Sequence, residues 1–155
     1  MKKYYFLLTI SILIYSLSSF ANTITLRPDA CEGKDAINGF IVPTTNYGSS
    51  EDFDVYAWTQ SSNLNINRAY VEFNLWAIPQ YSVINSATLY LYYNPTNIGS
   101  YTHSGNNSFT IYRITSPWTE DSINWNNQPS IDSSNVINVP ASSSGTQDYI
   151  INVTT

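Results

Sequence analysis

The sequence has 155 residues and a formal net charge of −5, with six Lys and Arg residues against eleven Asp and Glu residues. Phosphate backbones and anionic lipid surfaces are bound through clustered cations, so this balance argues against nucleic acid and against membrane surfaces as partners. The single cysteine, Cys31, excludes an intrachain disulfide. Stability must therefore come from the core or from a bound metal.

The first residues have the three parts of a secretory signal. Lys2 and Lys3 form a positive start, residues 4–17 are largely apolar, and small residues precede a predicted cleavage after Ala21. The apolar run is shorter than the roughly 20 residues of a membrane span, and Cys31 lies too far from the cleavage point for a lipid anchor. We expect residues 1–21 to be removed, leaving no membrane span, and the protein to be secreted, extracellular or held at the cell surface.

Residues 22–155 fit one domain and contain runs that are typical of β-strands. In 68–75, Ala69 and Val71 share one face, while Arg68, Tyr70 and Glu72 share the other. Polar turns separate the runs, and no segment supports an amphipathic helix of three turns. The pattern predicts an all-β, antiparallel sandwich. The predicted strands, in chain order, are 24–26, 37–41, 53–58, 68–75, 87–93, 109–114 and 149–153.

Several segments carry a family resemblance. They are Glu32-Gly-Lys-Asp-Ala36, Asn46-Tyr-Gly48, residues 68–75 with Ile78-Pro79, residues 84–91, and Trp118-Thr-Glu-Asp-Ser-Ile-Asn-Trp-Asn-Asn-Gln-Pro129. In this order they resemble the DNRLRE domain, which is also classed as carbohydrate-binding module family 96. The resemblance implies a jelly-roll-like β-sandwich in a secreted bacterial protein, and a non-catalytic module that binds polysaccharide, alginate among the ligands. It also implies structural roles for the signature residues Arg68, Glu120, Trp125 and Pro129.

The sequence departs from that family in two respects. The family continues past the strand matched by residues 149–154, so we expect this sandwich to lack its last strands. Two explanations stay open, the leading module of a larger surface or polysaccharide-degrading protein and a truncated chain that acts alone. Alginate is acidic, and its binding calls for rows of Lys and Arg. Because Lys2 and Lys3 fall in the predicted signal, only four of the six cations remain. The acidic ligand is therefore not expected to carry over.

The tryptophan block, residues 118–129, allows two interpretations. Trp118 and Trp125 can stack on sugar rings, or they can close a corner of the sandwich, with Glu120 paired to Arg113 or Arg68. On a strand, Ile123 and Trp125 would share a face, which favours a core position for Trp125. Trp118 stays a candidate for sugar binding.

An outward stripe of tyrosines is the second candidate site. Tyr90 and Tyr92 share a strand face, and Tyr70 and Tyr112 are placed beside them on neighbouring strands. Such a face would suit the apolar C–H faces of a glycan. The alternative is a tyrosine-rich sheet surface stabilised by cross-strand pairs without any ligand.

Acidic residues form a further group. Asp29, Glu32 and Asp35 are close in sequence, and a structural Ca²⁺ takes six to eight oxygen ligands of this kind. Their spacing does not match an EF-hand loop, so solvated acidic turns are the alternative interpretation. No other cofactor is expected.

Catalysis finds little support in the sequence. Glu120 and Asp121 are adjacent, so on a strand they would face opposite ways, which does not suit a cooperating acid and base. The sequence predicts a secreted, non-catalytic module that binds polysaccharide. The alternative is a structural or adhesive module of the cell envelope without a glycan ligand, and an enzyme is the third.

Overall fold

The computed structural model describes residues 22–29, 31–96 and 103–154. The predicted secretory signal lies outside these ranges. In the described part, seven strands form three sheets, and all pairings are antiparallel. The strands are β1 (Gly33–Gly39), β2 (Tyr56–Gln60), β3 (Asn63–Phe73), β4 (Thr88–Leu91), β5 (Phe109–Ile114), β6 (Ile131–Val139) and β7 (Tyr149–Asn152). The all-β, antiparallel fold expected from the sequence is confirmed.

The first sheet has the strand order β1-β3-β2, which places β2 at an edge. A two-residue turn joins β2 to β3, and both of its residues, Ser61 and Ser62, have positive φ angles of 49° and 67°. Positive φ at both central positions gives the turn the twist that a two-residue hairpin needs. Across β1 and β3, Lys34 stands opposite Glu72, and their charged groups lie 3.0 Å apart.

The other two sheets are two-stranded, β4 with β7 and β5 with β6. Val139, Tyr149 and Ile151 form the buried centre of one apolar cluster, to which both sheets contribute. The two sheets therefore face each other as the layers of a sandwich do. The partly buried residues packed against this centre are Leu89, Leu91, Phe109, Ile111, Ile137 and Val153.

A second core cluster lies on the three-stranded sheet. Ala36 of β1 and Tyr70 of β3 are opposite each other in register, and both are buried. Trp118 and Ile123 pack on them from the tryptophan block, and Ile114 at the end of β5 joins the cluster. The tryptophan block thus covers one face of the first sheet.

The strand predictions agree with the structure in part. Both bounds of β5 are as predicted, but β1 begins four residues before its predicted start, and residues 24–26 are not a strand. No strand was predicted where β6 lies. Tyr112 pairs with Val136 and Arg113 with Asp132, so residues 133–135 are left out of the register. This irregularity interrupts the two-residue alternation on which strand prediction relies.

Candidate functional site

Trp118 is a core residue. Its side chain is 9% exposed, and its ring centroid lies 5.9 Å from that of Tyr70. The Lys34 ammonium lies 4.8 Å from the indole centroid and donates to the Trp118 carbonyl at 3.0 Å. A ring with one face on Tyr70 and a cation beside it offers no open surface to a sugar. Of the two interpretations of Trp118, its burial favours the corner of the sandwich over sugar binding.

The sequence pattern predicted that Trp125 lies on a strand. In the structure it is instead the first residue of a short 3-10 helix, Trp125–Asn127. The Asn124 side chain caps this helix by accepting from the Asn126 amide, which favours a helical turn over an extended chain. Trp125 is half-buried, with the Phe40 ring in edge contact at 5.4 Å and the Arg68 guanidinium 4.8 Å from its centroid.

Glu120 does not pair with an arginine. Its Oε1 accepts from the backbone amide of Asp35 at 3.1 Å. Arg113 instead donates to Asp132 at 2.8 Å, and Arg68 donates to the Oε1 of Gln128. The predicted pairing is not formed because Glu120 lies against the backbone of β1, while Arg113 and Arg68 have other partners.

The motif at residues 46–48 holds the same block in place. The Asn46 side-chain amide donates to the carbonyls of Glu120 and Ile123, at 2.6 and 2.7 Å. Gly48 lies so close to the Glu120 carbonyl that a Cβ there would be 2.5 Å from its oxygen, so only glycine fits. Pro129 ends the block and is half-buried. The motif at residues 46–48 and the tryptophan block therefore contact each other directly.

Tyr70 does not belong to an exposed tyrosine stripe, and that prediction is wrong. Its side chain is buried. The Tyr70 hydroxyl accepts a hydrogen bond from Asn38 Nδ2 and donates one to Gln128 Oε1, both at 2.9 Å. Burial raises the pKa of this phenol. Period-2 alternation assigned Tyr70 to the face of Arg68 correctly, but it cannot tell which face another segment covers.

Tyr90, on the outer face of the β4–β7 sheet, and Tyr92, one residue past the end of β4, are both exposed. Their side chains are 52% and 72% exposed, and their rings are near parallel, with centroids 6.4 Å apart. Ile150, opposite Tyr90 in register, is also exposed. Tyr112 is exposed as well, but on the β5–β6 sheet, where its neighbour Ile111 faces the shared core. Of the five predicted aromatic residues, the structure brings Tyr90 and Tyr92 together at the surface and Tyr70 and Trp118 together in the core, and it leaves Tyr112 apart from both pairs.

An aromatic pair that the sequence analysis did not select lies on β2. Tyr56 and Trp58 are two positions apart, so they share a strand face, and their ring centroids are 4.5 Å apart at 32°. Trp58 is 47% exposed. Asn65 of β3, opposite Trp58, is buried and donates to Gln60 Oε1 at 2.9 Å and to the Tyr56 hydroxyl at 3.4 Å. The signal was present in the predicted strand 53–58, as aromatic residues at alternate positions.

The family now follows from a comparison with known proteins. A model of carbohydrate-binding module family 96 matches residues 36–155. The chain belongs to carbohydrate-binding module family 96. The resemblance seen in the sequence motifs is thereby confirmed. Comparisons with curated proteins and with solved structures gave no match.

Three of the four cations in the described part of this family 96 chain, all but the exposed Arg27, are engaged within the fold. Lys34 binds Glu72 and the Trp118 carbonyl, Arg68 lies on Trp125, and Arg113 binds Asp132. The exposed aromatic pairs therefore have no row of lysines or arginines beside them among the described residues. This arrangement differs from what an acidic polysaccharide requires.

The acidic residues proposed as Ca²⁺ ligands do not come together. Asp29 Oδ1 instead accepts from the backbone amides of Cys31 and Glu32, at 2.8 and 3.1 Å, which caps the turn before β1. Partial desolvation, and then the Glu120 carboxylate, raise the pKa of Asp35. Across the described ranges, no three His, Cys, Asp or Glu side chains form a group suited to a metal ion. Nor does any helix within those ranges have the length and apolar character to cross a membrane.

Proposed function

We propose that this chain is a secreted, non-catalytic module that binds polysaccharide on the outer face of the β4–β7 sheet. The observation that carries the proposal is the exposed, near-parallel pair of Tyr90 and Tyr92 in a member of a carbohydrate-binding family. Aromatic faces stack on the apolar C–H faces of sugar rings, and the phenol hydroxyls remain free to reach sugar hydroxyls. Export rests on the secretory signal predicted for residues 1–21.

Charge plays little part in this mode of binding. Lys34, Arg68 and Arg113 already bind partners within the protein. Binding through ring stacking and neutral hydrogen bonds depends weakly on ionic strength, whereas binding through exposed ion pairs weakens as salt is added. Retention on a polysaccharide should accordingly be the same at low and at high salt.

Affinity electrophoresis of the mature form, residues 22–155, through gels that contain single polysaccharides tests the proposal. The variant Tyr90→Ala/Tyr92→Ala should bind about tenfold more weakly, since two ring contacts of about 0.5–1.5 kcal/mol each are lost. Tyr112→Ala is the matched control, because Tyr112 is an exposed tyrosine on another sheet. Equal mobility in every gel, with and without polysaccharide, would overturn the proposal.

A structural or adhesive role is the second candidate, and a different surface favours it. Trp76 is 92% exposed, and Tyr81 and Val83 nearby are almost as open. Large exposed apolar patches mark contact surfaces for other proteins. This candidate predicts that the protein binds no polysaccharide and that Trp76→Ser abolishes its adhesion to cell envelopes. Retained polysaccharide binding in Trp76→Ser would favour the first candidate.

A further inference from the structure

We infer that the edge strand β2 carries a second carbohydrate site, formed by Tyr56, Trp58 and Gln60, and that this site takes an uncharged sugar chain. The inference rests on the proposed function, because it assigns the same class of ligand. It differs in the surface, since β2 belongs to the three-stranded sheet and not to the β4–β7 sheet that carries Tyr90 and Tyr92.

The aromatic pair faces away from the core of its sheet. Trp58 is in register with Asn65, whereas Tyr70 lies on the opposite face of β3, under the tryptophan block. Trp58 keeps 47% of its surface exposed although it is among the most apolar side chains of the fold. Tyr56 packs on it with a 4.5 Å centroid separation and is itself half-buried. The pair therefore forms a supported aromatic surface on an exposed edge strand.

An amide network orients polar groups beside that surface. Asn65 is 2% exposed, and its Nδ2 donates to Gln60 Oε1 and to the Tyr56 hydroxyl. Because Gln60 Oε1 is thereby occupied as an acceptor, the exposed Gln60 side chain presents its Nε2 as a donor. The buried Oδ1 of Asn65 has no hydrogen-bond partner within the described protein, which is costly for an amide oxygen. A donor hydroxyl brought in with a ligand would relieve that cost.

The charges near the pair favour a neutral ligand. Asp54 Oδ2 accepts from Asn67 Nδ2 at 3.5 Å, and Asn67 stands opposite Tyr56 in register. Burial, opposed in part by that hydrogen bond, raises the pKa of Asp54, and the Asp52 carboxylate raises it further. Burial and, to a smaller degree, the Asp54 carboxylate raise the pKa of the Tyr56 phenol. A uronate placed on Tyr56 and Trp58 would meet the same negative charge. A chain of neutral sugars carries no such penalty.

The test compares matched tryptophan variants of the mature protein by affinity electrophoresis. Mannan and xyloglucan serve as neutral probes, and alginate serves as the anionic probe. Trp58→Ala should weaken retention on a neutral probe about two- to tenfold, because one ring contact is lost. Trp76→Ala, at another exposed tryptophan, should leave it unchanged. Gln60→Ala is the second variant, because its side chain is exposed and its loss does not remove an aromatic contact. It should weaken retention severalfold, and near-native circular dichroism of both variants verifies folding.

The outcomes separate this inference from the proposed function. If the wild type is retained by no probe, both are overturned. If Tyr90→Ala/Tyr92→Ala loses affinity while Trp58→Ala and Gln60→Ala keep that of the wild type, only the second site is overturned. Stronger retention of the wild type by alginate than by either neutral probe would overturn the assignment of an uncharged ligand.

Discussion

The guanidinium of Arg68 lies 4.8 Å from the centroid of the Trp125 indole ring. Arg68 also donates to Gln128 Oε1, and Gln128 Nε2 donates to the Trp125 carbonyl at 2.8 Å. Arg68 and Trp125, which lie far apart in sequence, are thus joined directly by a cation–π contact and indirectly through the Gln128 side chain. The contact fastens the tryptophan block to the face of the first sheet.

Gln128 is the centre of this contact, and its loss should destabilise the fold. Gln128→Ala removes the acceptor for both the buried Tyr70 hydroxyl and Arg68. We expect the free energy of unfolding to fall by about 1–3 kcal/mol, because a buried donor is left without a partner. Urea denaturation measures the change, and the exposed Gln80→Ala is the control. Equal midpoints for the two variants would show that the network contributes nothing.

Trp118 should behave as a core residue and not as a ligand-binding residue. Trp118→Ala removes the indole that packs on Tyr70 and Ile123, and we expect a loss of about 3–5 kcal/mol in the free energy of unfolding. Trp76→Ala, at a tryptophan that is almost fully exposed, should change it by no more than about 0.5 kcal/mol. Thermal denaturation distinguishes the two. Similar melting temperatures for both variants would contradict the burial of Trp118.

Substitutions in the turn between β2 and β3 should stabilise the protein. Ser61 and Ser62 both have positive φ angles, a conformation that costs non-glycine residues about 1 kcal/mol each. The double variant Ser61→Asn/Ser62→Gly supplies the residues that this turn prefers, so we expect a gain of about 1 kcal/mol in the free energy of unfolding. Chemical denaturation reports the gain.

The control for the Ser61–Ser62 turn is a change of opposite sign, which places a non-glycine residue at a positive φ angle. Gly105 is the position for it. It has a φ of +66°, and a Cβ built on it meets no atom within 4 Å, so Gly105→Ala tests conformation alone. The free energy of unfolding of Gly105→Ala should be about 1 kcal/mol lower than that of the wild type. If both changes shift stability in the same direction, strain in the Ser61–Ser62 turn is not the cause.

Asp54 should make stability depend on pH. Its pKa is raised in the folded state, mainly by burial, so the folded protein holds the proton more tightly than the unfolded chain does. Wild-type stability therefore falls as the pH rises from the unfolded value of 3.8 through the folded pKa, and the penalty is complete at neutral pH. Asp54→Asn removes the charge and should be more stable than the wild type at pH 7.

Denaturation of both proteins across this pH range tests that sign. The difference between Asp54→Asn and the wild type should shrink as the pH falls toward 3.8 and below. Asp132→Asn is the control of opposite sign, because hydrogen bonds from Ser134 lower the pKa of Asp132 to about 2 in the folded state. A difference that grows with acidity would mean that the Asp54 carboxylate is stabilised by the fold.

Local pattern in the sequence determined the all-β class, the family and the approximate position of six of the seven strands. Alternation within a strand depends only on the pleat of the backbone, so residues 109–114 were predicted with both bounds of β5. The motifs at 46–48 and 118–129 likewise pointed to the family before any contact was known. The irregular register at Tyr112 and Arg113 is the exception, since it hid β6 from the same reasoning.

The tertiary structure alone decided which faces are covered. Tyr70 and Trp58 both occur in runs with strand-like alternation, yet Tyr70 is buried beneath the tryptophan block and Trp58 is about half exposed. Burial depends on which distant segment packs on a sheet, and alternation within one strand carries no record of that segment. For this reason the sequence could propose aromatic residues for ligand binding, while only tertiary packing separated the core aromatics from the exposed ones. Residues 118–129 bury Tyr70, and the β5–β6 sheet covers the inner face of the β4–β7 sheet.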